Sequence, residues 1–173
     1  MSMMRRHQRG VGMVEILVAL LVLAIGVLGY AGLQLSALKG AETAHIRARA
    51  TALARDTLER MLVNPEAVSV YLDADSWPDT PPTAGEEPDG WSDCTGASVC
   101  DSGAMAEWDI QQLAWQAANI MPAGTIRVDT CEMSGASNCV VVAWGEQDAD
   151  DCMGDGGIET AADSQCVVME VIR

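Results

Sequence analysis

The sequence predicts an α+β protein: one long N-terminal helix, membrane-spanning in its first half, packed on a small antiparallel sheet with a long disulfide-stapled loop region. Three observations predict it. Residues 16–38 run ILVALLVLAIGVLGYAGLQLSAL without a charge. The helical pattern then continues to Val63, with no Pro in its way. Beyond a second helical stretch, three runs rich in β-branched residues close the chain, an order that suits helices segregated against an antiparallel sheet.

The first element is the apolar run. At about 1.5 Å of rise per residue it is long enough to cross a bilayer as a helix. Arg5, Arg6 and Arg9 precede it, whereas the Lys39 that follows is soon offset by Glu42. The positive-inside rule therefore places the N-terminus in the cytoplasm and the remainder outside. A secretory signal peptide has a shorter core ending at a small-residue cleavage site. A plain uncleaved anchor has no need of Glu15, a carboxylate at the edge of an apolar helix. That acid either snorkels to water and favours the positive end of the helix, or meets a cationic partner at the start of a neighbouring subunit.

Residues 40–63 form the second half of the helix. Ile46, Ala50, Leu53, Thr57 and Met61 recur at steps of three and four, with Leu58 and Leu62 beside them, which predicts a packing face. Asn64-Pro65 is the stop signal. Gly26, Gly29 and Gly32 stand three apart. They serve equally well as a small-residue contact stripe or as a loosened stretch of helix.

Residues 64–103 are rich in Pro, Asp, Gly, Ser and Thr and read as a long irregular loop. Residues 104–121 read as a helix with Met105, Trp108, Leu113, Trp115 and Ile120 as its apolar contacts, ended by Pro122-Ala123-Gly124. The segments TIRVDTC, NCVVVAWG and CVVMEVIR then read as strands.

Charge and cysteine content bound the function. Residues 61–173 carry 21 acidic residues against only Arg127 and Arg173, a surface that repels phosphate and makes nucleic acid a poor partner. With no Phe and seven aromatic residues, the core is thin and gains from covalent staples. All six cysteines (Cys94, Cys100, Cys131, Cys139, Cys152 and Cys166) lie beyond the apolar helix, which favours disulfides in an oxidising compartment over zinc. Six cysteines permit 15 pairings, and the local pairs Cys94–Cys100, Cys131–Cys139 and Cys152–Cys166 are a first guess that spacing cannot establish.

No catalytic set stands out, and neither a metal nor a cofactor is expected. His45 is the one histidine downstream of the apolar run and reads as a solvated helix residue. The segment DADDCMGDGG, residues 148–157, has acids and glycines but lacks the calcium-loop pattern. It reads as a solvated acidic turn.

The residues RRHQRGVGMVEILVALLVLAIG resemble the leader of type IV prepilins, in which a basic leader ends in Gly and Glu stands fifth after the cut. Cleavage after Gly12 would start the chain at Met13 and leave Glu15 third. Cleavage after Gly10 starts it at Val11 and makes Glu15 fifth, so the Glu spacing selects Gly10. A second block, CDSGAMAEWDIQQLAWQAANIMPAGTIRV, with a strand ending in Trp144, resembles the type IV pilus modification protein PilV family. The resemblance implies a pilin-like fold divided into a leader (1–10), a transmembrane and filament-core helix (11–38), an amphipathic helix (39–63) and a periplasmic head (64–173). It implies a minor pilin of the bacterial inner membrane, single-pass, that passes into the pilus near its tip. Its partners would be a prepilin peptidase, other minor pilins, the major pilin and a tip adhesin. Glu15 would neutralise the methylated terminal amine of an adjacent subunit. A type II secretion pseudopilin is the alternative, and a signal-anchored periplasmic enzyme or binding protein a second.

Overall fold

A computed structural model of the chain describes residues 10, 12–86, 94–95, 99–131, 137–154, 157–158, 161 and 163–171. The chain forms two compact units that divide between Thr43 and Ala44. Helix α1, Met13–Val63, is unbroken. It supplies nearly all of the first unit and contributes its last turns, from Ala44 on, to the second.

In the first unit, the apolar side chains of α1 are exposed from Met13 to Leu38. No described residue covers them. A Cβ added at Gly26, Gly29 or Gly32 would touch no other atom within 4 Å, so these glycines make no close packing within the chain, and the helix runs through them without a break.

The second unit is built around a three-stranded antiparallel sheet. Strands β1 (Thr125–Thr130), β2 (Asn138–Ala143) and β5 (Cys166–Val171) lie in the order β1-β2-β5. Thr125 pairs with Ala143 at one end of the β1–β2 ladder, and Ala143 pairs in turn with Cys166 of β5. Because side chains alternate along a strand, the central strand has two buried faces. Val140 and Val142 join Ile126, Val128 and Trp144 in the main core with the helices. Cys139, Val141 and Ala143 face a second, smaller core that contains Cys131, Ala149, Cys152 and Cys166. The central valines are fully buried, each contributing about 1.5–3 kcal/mol.

The helix-distant face of the sheet is therefore covered by staples and a turn rather than by a layer of secondary structure. The cysteines are joined as Cys94–Cys100, Cys131–Cys139 and Cys152–Cys166, and the last two pairs sit inside this smaller core. Closing loops of this size contributes about 2–4 kcal/mol each, a sizeable share of the stability of a thin domain. Between Cys152 and Cys166 in the chain lies a two-stranded hairpin, β3 (Met153–Gly154) with β4 (Gly157–Ile158), absent from the sequence expectation.

Helix α1 ends where Asn64-Pro65 requires it to end, because Pro clashes with a helical residue before it. Of the irregular loop expected over residues 64–103, residues 65–76 are locally regular, the other described residues up to Asp101 form no helix or strand, and residues 87–93 and 96–98 lie outside the described residues. Two short 3-10 turns, Pro65–Ala67 and Ala74–Ser76, flank a single helical turn, α2 (Val68–Tyr71). Tyr71 and Trp77 anchor this segment in the main core, with 0% and 3% exposure. The Trp77 indole N–H donates to the Tyr71 carbonyl at 2.9 Å. Two large aromatic anchors offset the turn-forming composition around them.

Helix α3, Ser102–Ile120, starts at Asp101, whose carboxylate accepts the Ala104 N–H at 2.8 Å, an ordinary N-cap. Its buried face is Ala106, Ile110, Leu113, Ala114 and Ala117. Of the apolar contacts expected here, only Leu113 is buried, while Met105, Trp108, Trp115 and Ile120 are intermediate. The face toward the core is mostly alanine, and such small residues give helices little room for bulky rings between them. The helix leaves through Gly124, where a Cβ would lie 2.1 Å from the Ala117 carbonyl oxygen, so only glycine fits.

On α1 the buried face is Ala50, Leu53, Ala54, Thr57 and Met61, with Ile46 and Leu58 partly buried against it. Leu62 departs from expectation and is 77% exposed. The Thr57 hydroxyl donates to the Leu53 carbonyl at 2.9 Å, so its burial strands no polar group.

A polar latch joins the end of α1 to α2 and α3. Asp109 is buried on α3, and both of its oxygens are occupied. Arg60 donates to Oδ1 at 2.6 Å and the Tyr71 hydroxyl to Oδ2 at 2.5 Å. The same Arg60 reaches Gln112 at 2.6 Å and Asp56 at 3.2 Å. Nearby, the Asn64 amide donates to the Ser102 carbonyl at 2.8 Å. Burial and the bond to Asp109 together push the Tyr71 phenol far above its usual range.

Two outcomes test the latch. Replacing Arg60 by Ala leaves the Asp109 carboxylate without its cation in a largely dry site, so the Ala44–Arg173 unit should lose about 3 kcal/mol, read from a denaturant midpoint in neutral detergent. All five Trp lie between Trp77 and Trp144, so their fluorescence reports this unit. The second outcome is alkaline. Unfolded Tyr ionises near about pH 10, whereas the folded Tyr71 resists. Its contribution is therefore intact below that pH and shrinks as the pH climbs further. Tyr71→Phe should flatten that alkaline decline in the midpoint.

Candidate functional site

The residues singled out for processing and assembly lie at the start of α1. Gly10 is exposed, with no atom near the position of a Cβ. Val11, the expected first residue after cleavage, lies outside the described residues. Gly12 precedes the helix and its carbonyl accepts the N–H of Glu15 at 3.0 Å and of Ile16 at 3.4 Å. Glu15 thus falls in the first turn of α1, where the free backbone N–H groups give the helix a positive end that suits a carboxylate.

Beyond Glu15 the helix is apolar all round. It is long and apolar enough to cross a membrane, with a mean hydropathy of 2.6 over its best window, none of it buried in the chain. A helix with this exposure is stable only in lipid or against other apolar helices. The arrangement is therefore one carboxylate at the head of a helix whose whole surface needs a nonaqueous partner. It can anchor the chain, and it can pair with a cation carried into the same environment. It offers no group for bond-making chemistry.

His45 is exposed on α1. No cluster of three or more His, Cys, Asp or Glu able to hold a metal ion occurs among the described residues. Within the acidic segment 148–157, Asp148 precedes the short turn Ala149–Cys152, and Asp150 forms an ion pair with Arg127. Arg127 also pairs with Asp129 on its own strand. Asp155 and Gly156 lie outside the described residues.

Sequence reasoning missed the latch residues Arg60, Asp109 and Tyr71. The signal open to it was weak: Asp109 sits three residues after Ala106 and four before Leu113, the spacing of the buried stripe.

Comparison with known proteins meets the same two regions. Residues 5–31 match the family model of the prokaryotic N-terminal methylation motif. Residues 32–111 match a family model described as Tt1218-like, type IV pilin Tt1218. No curated protein and no solved structure gives a match. The motif implies processing by a prepilin peptidase and assembly with other pilins, and with the long apolar helix it fits a membrane-anchored chain. The second match runs from the apolar helix through the latch to the middle of α3.

Proposed function

We propose that this chain, whose methylation motif and pilin-model match support a type IV pilin subunit, is a minor pilin of the PilV kind that primes pilus assembly near the tip. The observation that carries the proposal is Glu15, standing fifth after Gly10 at the head of a fully exposed apolar helix. A prepilin peptidase removes residues 1–10 and methylates Val11. The chain waits in the inner membrane as a single-pass protein, its N-terminus cytoplasmic and its head periplasmic, then enters the filament. There Glu15 pairs with the terminal amine of an adjacent subunit. In an apolar bundle such a pair sets register, because a slip by one residue leaves a charge unpaired at a cost of several kcal/mol. Other minor pilins, the major pilin and a tip adhesin are the partners this role requires. The acidic head suits a displayed, soluble surface.

The pilin-model match over residues 32–111 favours a pilus over a type II secretion pseudopilus, because the methylation motif by itself serves both.

Three measurements test the proposal. The intact mass of the protein from its native host should correspond to a chain beginning at methylated Val11. A chain beginning at Met13 would move the cut to Gly12, and one beginning at Met1 would overturn the reading. In the same host, Glu15→Val should still be cleaved and held in membranes, yet drop at least about tenfold in sheared filaments, the loss of one buried pair. Deleting the whole chain should reduce surface pili and twitching while secretion stays intact. Loss of secretion with normal pili would assign the chain to the pseudopilus instead.

A further inference from the structure

A groove of about 560 Å³ opens at the C-terminal end of α1, between that helix and the start of α3. Glu59 and Val63 line it from α1, and Cys100, Asp101 and Met105 from the other side. The Arg60–Asp109 pair forms part of the same lining, next to Asp56.

Two properties of this groove are unexplained by the fold. The first is its apolar wall. Val63 is 85% exposed and its chain neighbour Leu62, just outside the lining, is 77% exposed; both stand off the face of α1 that is buried in the core. The second is its charge. Besides the buried Asp109, the carboxylates of Asp56, Glu59 and Asp101 stand beside one cation. That cation, Arg60, is already engaged by Asp109, Asp56 and Gln112.

We infer that the groove is a docking slot for an Arg or Lys side chain carried on a basic, apolar-flanked segment of another protein. Such a side chain matches both properties at once. Its aliphatic stem covers Val63 and Met105, and its charged head reaches the carboxylates at the rim. Charge decides between this occupant and a second head of the same chain. Residues 61–173 hold 21 acids and two Arg, so two heads repel each other, while a basic partner is drawn in. The inference stands on the geometry of the second unit and survives if the pilus assignment fails.

The test uses the full chain in a neutral detergent and a fluorescent peptide of alternating Leu and Arg, read by anisotropy. A Leu and Glu peptide is the control. Glu59→Lys should weaken binding by about tenfold, and Val63→Ser by about threefold. Both residues are exposed, so the thermal transition should not move. Glu107→Lys changes the net charge as much as Glu59→Lys, on an exposed position of α3 outside the groove. It should weaken binding by no more than about threefold, since its carboxylate is exposed and outside the groove lining, where solvent screens it. Equal weakening by Glu59→Lys and Glu107→Lys would reduce the effect to diffuse attraction and overturn the proposal. So would equal affinity for the two peptides. Self-association that Glu59→Lys abolishes, with no peptide binding, would make a second copy the occupant and overturn it as well.

Discussion

A single helix has to satisfy two solvents, and the rest of the protein follows from that constraint. From Met13 to Leu38, α1 presents apolar side chains in every direction and buries none of them in its own chain. From Ala44 to Val63 it presents a stripe of Ala, Leu, Thr and Met to a core and charges to water. Helical hydrogen bonds are satisfied within the segment in either setting, so the backbone has no reason to break where the surroundings change. The side chains alone decide which stretch goes where. Three glycines in the apolar half do not interrupt the helix, because tertiary or lipid contact outweighs a propensity penalty of about 1 kcal/mol each.

The second unit is then a problem of holding a helix end with little hydrophobic material. The chain has no Phe, and its α3 face is mostly alanine. Small residues permit close approach but bury little area each. Two devices compensate. Disulfides replace a missing layer behind the sheet, where Cys131–Cys139 and Cys152–Cys166 share a cluster with Val141 and Ala143. The Arg60–Asp109–Tyr71 latch fixes α1 against α3 through directed bonds. A latch of this kind adds less net stability than an apolar contact of equal volume. Its effect is to penalise every wrong register, since any sliding of α1 strands the Asp109 charge.

Much of this architecture was legible in the chain itself, and what was legible depends on local signals. The end of α1 at Asn64-Pro65 and the three strands each rest on a few adjacent residues. What escaped depends on partners far along the chain. Asp109 is buried because Arg60 lies 49 residues away, and no period in either segment announces the pair. Tyr71 and Trp77 sit among turn-forming residues, whose composition hides two core anchors. The alanine face of α3 was misassigned for a related reason. Bulky residues attract attention in a pattern, yet between close helices the smaller ones are buried while Trp108 and Trp115 remain at the boundary.

Positive and negative charge are unevenly divided along the chain. Among the described residues after Val63, Arg127 is the one cation, and it is tied to Asp129 and Asp150. The remaining basic residues of the described chain (Lys39, Arg47, Arg49, Arg55 and Arg60) all belong to α1. Within the second unit, Arg47 donates to the Ser164 carbonyl at 2.6 Å and Arg49 to the Ile120 carbonyl at 2.9 Å. The helix thus supplies positive charge to a head that has almost none of its own. Arg60 does the same at the last turn. The excess that remains, concentrated in carboxylates at exposed positions, is screened by dissolved cations and draws in molecules of opposite charge.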